Sequence, residues 1–558
     1  MKRITLLCTI LFSSFVQQAQ NPITNGSDWT VTNITTDNEL DYPNTIIYGP
    51  DNNLWITERI GRKVVKVSTS GGLKTTMLDL TSKVYQSAGQ DGLMGMAIHP
   101  DLYADINTST NNYVYLAYTY DLPGGGINRL IRIERYTYNS GTGNLNSGSA
   151  TTILEGMDAS NDHNSGKLQI GPDMKLYYTI GDQGANQFAN ACNEIRAQYL
   201  PTTDGQTPTT GDKSDYKGKI LRMELDGSIP TDNPMLGGFR THVYTFGHRN
   251  PQGIVFGSNG KLYSSEHGPK VDDELNIIEA GKNYGWPEIA GYYDDNGYGY
   301  CNWSSTPGGC SSSGFSDHNC PSGVSKVPES TSGMPANFQA PIGTYNSTTA
   351  TEPSGGWLTW PTVGPSSIDI YEGGQIPGWG TSLLIPTLKR GTIFRTKLNA
   401  SGDALEDGTY EEFHSSNDRY RDICFDPDGV TIYAVTDNTG GTSGPSGTSG
   451  VTIENPGVIV KIQFIGTTLS NSELTQNFSF NVIPNPAKES FKIVYKGQDF
   501  SNININIIDI QGRIIKKLDS INNKLNINIS ELSNGVYFVK LYNENTKEIG
   551  TKKLIIKK

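Results

Sequence analysis

Residues 48–56 read Tyr-Gly-Pro-Asp-Asn-Asn-Leu-Trp-Ile, and the same plan returns three times: Ile-Gly-Pro-Asp-Met-Lys-Leu-Tyr-Tyr at 170–178, Phe-Gly-Ser-Asn-Gly-Lys-Leu-Tyr-Ser at 256–264 and Phe-Asp-Pro-Asp-Gly-Val-Thr-Ile-Tyr at 425–433. In each, an apolar residue leads into a tight turn and out into a strand that carries an aromatic side chain, as in a β-hairpin. Around these copies, short runs of Val, Ile, Tyr and Thr alternate with Gly, Asn, Asp and Pro, and helical periodicity is nearly absent, so the fold class is all-β. A sandwich rarely extends over roughly 440 residues, whereas radial repetition does so while protecting its sheet edges; the expectation is a six-bladed β-propeller.

The chain has 558 residues and a net charge of −12, from 44 Lys+Arg against 56 Asp+Glu. A general attraction for phosphate backbones is therefore not expected, and nucleic acid is excluded as a first reading. The C-terminal stretch departs from this balance: Thr475 to Lys558 holds 13 basic and 7 acidic residues and only 4 of the 63 glycines. Its strand-like runs predict a separate small β-sandwich-like domain at 477–558, joined through a linker at 467–476 to a main body at 21–466. Residues 1–20, Met-Lys-Arg followed by an apolar run and Gln-Gln-Ala-Gln, have the layout of a secretory signal peptide. No later stretch has the ~20 continuous apolar residues of a transmembrane span. Three cysteines, Cys301, Cys310 and Cys320, crowd a Gly/Ser-rich insertion, where export makes a disulfide plausible.

Motifs for zinc helices, phosphate-cradling loops, nucleophile elbows and EF-hands are absent. Chemistry must come from polar clusters in loops that mostly precede strands. Gln90-Asp91 occupies a Gly-flanked turn. In Asp162-His-Asn-Ser-Gly-Lys167, His163 has accessible nitrogens and a neighbouring carboxylate that could set its tautomer, the requirements of a general base. Arg249 and Asn250 in Gly247–Gly253 could bind anions or carbonyls, or brace a turn. Glu266-His-Gly-Pro-Lys-Val-Asp-Asp-Glu274 offers main-chain carbonyls and three consecutive carboxylates, a supply of oxygen ligands for a hard cation such as calcium, or a solvated acidic loop. Arg419 and Arg421, at i and i+2, face one way on an extended segment and would make a doubly cationic anion site.

Taken together and in order, these clusters resemble the soluble quinoprotein glucose dehydrogenases. The resemblance is carried by Gln90-Asp-Gly-Leu, Asp162-His-Asn-Ser-Gly, Thr179-Ile-Gly-Asp-Gln-Gly-Ala-Asn-Gln187, Gly247-His-Arg-Asn-Pro-Gln-Gly253, Gly268-Pro with Asp272-Asp-Glu274, Asn283-Tyr-Gly-Trp-Pro287, Trp360-Pro-Thr362, Leu388-Lys-Arg-Gly391 and Asn417-Asp-Arg-Tyr-Arg421. It implies a pyrroloquinoline quinone (PQQ) cofactor, Ca²⁺ and oxidation of an aldose at C1. His163 would be the base, oriented by Asp162, with Arg249 beside them; Gln90, Asp162, Gln187, Arg249, Trp357 and Trp360 would hold the sugar. Asn250, Thr362, Lys389, Arg419 and Arg421 would hold the cofactor. Carbonyls of Gly268 and Pro269 would bind the catalytic calcium, Glu274 and Tyr284 a second ion, and Ala290, Tyr292 and Asp294 a third, structural one. Trp357 stands where glucose-oxidising members carry tyrosine, which leaves the preferred sugar open. The Cys301–Cys320 insertion falls where the third site would gain a further carboxylate.

The C-terminal segment, with Val482-Ile-Pro-Asn-Pro-Ala487, Asp509-Ile-Gln-Gly-Arg513, Gly535-Val-Tyr-Phe-Val-Lys540 and Thr551-Lys-Lys-Leu-Ile-Ile-Lys-Lys558, resembles the sorting domain of type IX secretion substrates. It implies release from the cell or attachment at its surface. The partners expected are a sugar, an external electron acceptor and the type IX secretion machinery; a homodimer stays open. A calcium-dependent lactonase propeller leaves Lys389, Arg419 and Arg421 without a ligand, and a non-enzymatic surface carbohydrate-binding propeller predicts no turnover.

Overall fold

A computed structural model describes residues 28–203, 206–345, 350–439, 452–466, 480–495, 503–509, 514–518, 526–543 and 549–558. The signal peptide and the linker expected at 467–476 lie outside the described residues, as does most of the Gly/Ser-rich stretch before Val451. The chain divides into two compact units, before and after the Gly466–Thr467 junction.

The first unit holds six four-stranded antiparallel sheets that follow one another along the chain. Their first strands are Pro43–Tyr48, Leu93–Ile98, Leu168–Ile170, Pro251–Phe256, Asp369–Tyr371 and Tyr420–Phe425. Five sheets are built from consecutive segments apart from one small inserted hairpin. The sixth is completed from the other end of the unit: Trp29–Asn33 pairs antiparallel with Ile459–Phe464, Trp29 opposite Phe464. The first strands of all six sheets line one cavity of about 300 Å³. Lys167 reaches from the third sheet to Asp422 of the sixth, Nζ to Oδ2 2.7 Å, and also meets Ser367.

The four repeated segments each form the first hairpin of a sheet, namely the first, third, fourth and sixth. The side chains explain the shared pattern. Asp51 takes hydrogen bonds from the Asn53 amide and the Trp55 indole, and Asp173 from the Lys175 amide and the Tyr177 hydroxyl. Asn259 accepts from the Lys261 amide and donates its own amide to the Tyr263 hydroxyl, and Tyr433 donates to Asp426. The aromatic residue thus ties its strand to the turn that starts it, each bond contributing about 1 kcal/mol.

Period-two alternation sends successive side chains of a strand into opposite cores. Trp55 packs towards the second sheet, whereas Leu54 and Ile56 pack with Tyr433 and Val435 of the sixth. Further apolar cores join the second sheet to the third, the third to the fourth, the fourth to the fifth and the fifth to the sixth. Each sheet is therefore packed on two neighbours.

The second unit has a three-stranded and a four-stranded sheet around one core that includes Phe480, Phe491, Ile505, Ile527, Val539 and Leu554. Two of its strands are Ile514–Leu518 and Ile549–Ile556. Their lysines make both runs resemble solvated basic segments, yet both strands lie at sheet edges, where lysine discourages pairing with another chain.

Candidate active site

In an antiparallel sheet, the start of the first strand and the end of the second lie at the same edge. Pro43 pairs with Glu58, Pro251 with Glu266 and Tyr420 with Thr436. The loops entering the first strands and those leaving the second strands consequently open on one face. The first kind carries Gln90, Asp162–His163, Arg249–Asn250 and Arg419; the second carries Arg59, Asp182–Gln187, His267–Pro269, Lys389 and Asp437.

His163 is buried and held at φ +46°, a left-handed conformation that costs a non-glycine residue of order 1 kcal/mol and concentrates at functional sites. Its backbone amide bonds Gln90 Oε1 and Asp162 Oδ1. The orienting carboxylate on its ring is not Asp162 as expected but Asp182, with Oδ1 2.8 Å from Nδ1. Asp182 is itself buried and fixed by the Trp286 indole at 2.9 Å. A carboxylate acceptor on Nδ1 places the ring proton there and leaves the lone pair on Nε2. That nitrogen lies 3.1 Å from Gln187 Nε2, which also donates to Asp162 Oδ2 at 2.7 Å, while Gln187 Oε1 accepts from Arg249 at 2.9 Å. Gln90 donates to Asp162 Oδ1. Gln90, Asp162, His163, Gln187 and Arg249 therefore form one connected group. Asp182 stood inside a quoted motif; only its place just after a strand, like that of Lys389 or Asp437, marked it.

A second group lies beyond His267. Arg419 and Arg421 both reach Asp437, at 3.2 and 2.7 Å, all three nearly buried. Burial raises the Asp437 carboxyl, but the two guanidiniums outweigh it and hold it at about 2. Arg59, not singled out from sequence, is buried beside them, and burial followed by repulsion from Arg421 lowers it to about 10. Three guanidiniums thus gather around Asp437, with Asp91 also in the field of Arg59. Lys389 donates to the Trp360 carbonyl and Thr362 Oγ1 at 2.7 and 2.9 Å, and burial lowers it to about 8. Asn250 spends its carbonyl on Ser165 and Gln252, leaving Nδ2 buried with no partner among the described residues. His267 Nε2 is likewise buried without one. Burial first, then Arg249 and His163, lower the His267 pKa far below the usual range, so this ring is neutral and stands between the two groups.

Gly268 donates to buried Asp273, which also accepts from the Val363 and Gly364 amides, so the Gly268-Pro269 loop is tied to the segment beside Lys389. A Cβ on Gly268 would lie 2.0 Å from the Val271 carbonyl oxygen, which explains the glycine. Glu274 accepts from Gly291 at 2.8 Å and so joins the Ala290–Asp294 loop, whereas the Tyr284 hydroxyl is engaged by Ile277 and Glu279. A carboxylate from beyond the cysteine-bearing insertion, Glu329, receives the amides of Ala290, Asp294 and Asp295 at 2.9–3.0 Å and so meets the same loop. Burial, then Asp294 and Glu329, push Asp272 up to about 8, and Tyr292 lies in the same field. Among the described residues no three His, Cys, Asp or Glu side chains converge on one point, so a cation here would draw on main-chain oxygens as well.

Residues 40–308 and 328–443 match the model of the glucose/sorbosone dehydrogenase family, and residues 481–557 match the secretion system C-terminal sorting domain. Quinoprotein glucose dehydrogenase B of Acinetobacter calcoaceticus is 41% identical over 440 residues, covering 76% of this chain and 89% of that one. The chain belongs to the glucose/sorbosone dehydrogenase family. Among solved structures, the PQQ-bound aldose sugar dehydrogenase of Streptomyces coelicolor shares the fold with a TM-score of 0.51 at 22% identity, over 78% of this chain and 99% of that one. The apo aldose sugar dehydrogenase of Escherichia coli does so with a TM-score of 0.53 at 22% identity, over 78% and 99%. The family match is interrupted between residues 308 and 328, from within the cysteine-bearing insertion to a few residues past Cys320.

Proposed function

We propose that this member of the family is an exported, PQQ- and calcium-dependent aldose dehydrogenase. Its six sheets are the blades of a six-bladed propeller spanning residues 21–466, followed by a sandwich-like sorting domain at 477–558 that directs type IX export after a signal peptide. The observation that carries this reading is the pairing of an oriented base, His163 on Asp182, with a buried cationic group across His267. A tricarboxylate cofactor fits that group: the buried cations Arg59, Arg419, Arg421 and Lys389, and the Nδ2 of Asn250, which has no partner among the described residues, all favour a buried polyanion. Calcium fits the raised carboxyls of Asp272, Glu274 and Glu329, which burial and mutual repulsion disfavour as anions without a cation.

When bound, PQQ supplies the acceptor of the C1 hydrogen with its electron pair, and calcium on the Gly268 and Pro269 carbonyls supplies a Lewis acid for that acceptor. His163 Nε2 takes the proton of the C1 hydroxyl, and Asp182 stabilises the imidazolium that results. Asp162, Gln90, Gln187 and Arg249 hold the sugar hydroxyls, with Trp357 and Trp360 beside the ring. C1 becomes the carbonyl carbon of the lactone, and the two electrons pass on to an external acceptor.

The test is dye reduction by the purified chain over a panel of aldoses, with each of PQQ and Ca²⁺ added or withheld. Full activity is expected only with both, and a chelator that removes calcium should abolish it. Equal activity without PQQ, or none under any condition, contradicts the reading.

A further inference from the structure

The interrupted segment is built into the mouth of this site. Cys310 is bonded to Cys192, a few residues after Gln187, and Cys301 to Cys320. Asn186, next to Gln187, bonds both the Cys301 carbonyl and the Trp303 amide, at 2.8 and 2.7 Å. Phe315 packs on Phe188, ring centroids 5.4 Å apart, and on Trp303 at 5.2 Å. Three residues later the segment is held by the opposite wall. His318 Nε2 lies 2.8 Å from the Gly355 carbonyl oxygen, and its ring meets Trp360 edge-on at 6.4 Å. Lys326 bonds the His318 carbonyl and pairs with Glu352, which also pairs with Lys270. Lys270 in turn lies over the Trp360 ring.

Phe315 to His318 therefore bridges the wall of Gln187 and the wall of Trp360 with three backbone steps, at most about 11 Å. Asp317, in the middle of that bridge, is half-buried and has no hydrogen-bond or ion-pair partner among the described residues. The basic residues in its field are Lys270, His318 and Arg249, the last belonging to the sugar-binding group, with Glu352 opposing them.

Resting on the proposed function, we propose that residues 309–327 are a specificity strap: the disulfide-anchored bridge closes the outer side of the sugar subsite, and Asp317 accepts hydroxyls of the ring remote from C1. The strap admits a single sugar ring and excludes a second ring attached to it. A short bridge fastened at both ends does not swing aside for a larger substrate, and a partly desolvated carboxylate rewards a hydroxyl donor placed against it.

Two variants of the full chain, loaded with PQQ and calcium, test this. In the first, Ser312–Asn319 is replaced by Gly-Ser, which keeps all four disulfide cysteines. The ratio of kcat/KM for maltose to that for glucose should rise at least tenfold. In the second, Asp317→Ala, chosen because this carboxylate makes no hydrogen bond among the described residues whose loss would disturb the fold, KM for glucose should rise about tenfold with kcat held, since binding is lost equally in ground and transition states. An unchanged ratio in the first variant, or an unchanged KM in the second, overturns the inference. A wild-type chain that oxidises no aldose of the panel overturns the proposed function, and the role of the strap with it.

Discussion

Replacing His163 with alanine should lower turnover of the PQQ- and calcium-loaded chain by about 10²- to 10⁴-fold, the usual contribution of a positioned general base. The geometry makes this a loss of chemistry rather than of structure. His163 Nδ1 is engaged by Asp182, and Asp182 keeps the Trp286 indole and the Gly184 amide when the imidazole is removed. The cationic group across His267 is untouched, so the same variant should bind PQQ with wild-type affinity in an equilibrium titration. Wild-type turnover would remove His163 from the mechanism; lost cofactor binding would reassign it to the cofactor site.

Arg421→Ala is expected to act in the opposite sense, weakening PQQ binding by about 10- to 150-fold, the equivalent of one charge-assisted hydrogen bond worth about 1.5–3 kcal/mol. Asp437 would remain paired with Arg419, so the variant leaves no lone buried anion. At saturating PQQ its turnover should approach that of wild type, because no guanidinium of this group touches His163 or its hydrogen-bonded partners. Unaltered affinity in the titration would separate Arg421 from the cofactor.

The legible and illegible parts of the sequence differ for a physical reason. The four hairpins could be read because turn and strand are local, and the bond from an Asp or Asn to an aromatic residue that closes each spans four to seven residues. The ring of sheets was less accessible: it depends on Trp29–Asn33 pairing more than 400 residues downstream, and no local pattern announces that partner. At the site, His163, Gln187, Arg249 and Arg421 stand in compact motifs and were singled out from the sequence. Asp182 was quoted but given no role, because only the folded loop shows that it, and not the adjacent Asp162, meets the Nδ1 of His163. Arg59 and Glu329 were missed for a related reason: one is an arginine among many, and the other lies past an insertion that displaces the spacing. Both become significant through burial, which a sequence does not display.

The most direct test of the central claim is single-turnover oxidation of glucose carrying deuterium at C1 by the loaded chain, with the product analysed by mass. The account predicts a slower reductive step than with unlabelled glucose and a lactone that has lost the deuterium. A product that retains deuterium at C1, formed at the same rate from either sugar, would contradict it.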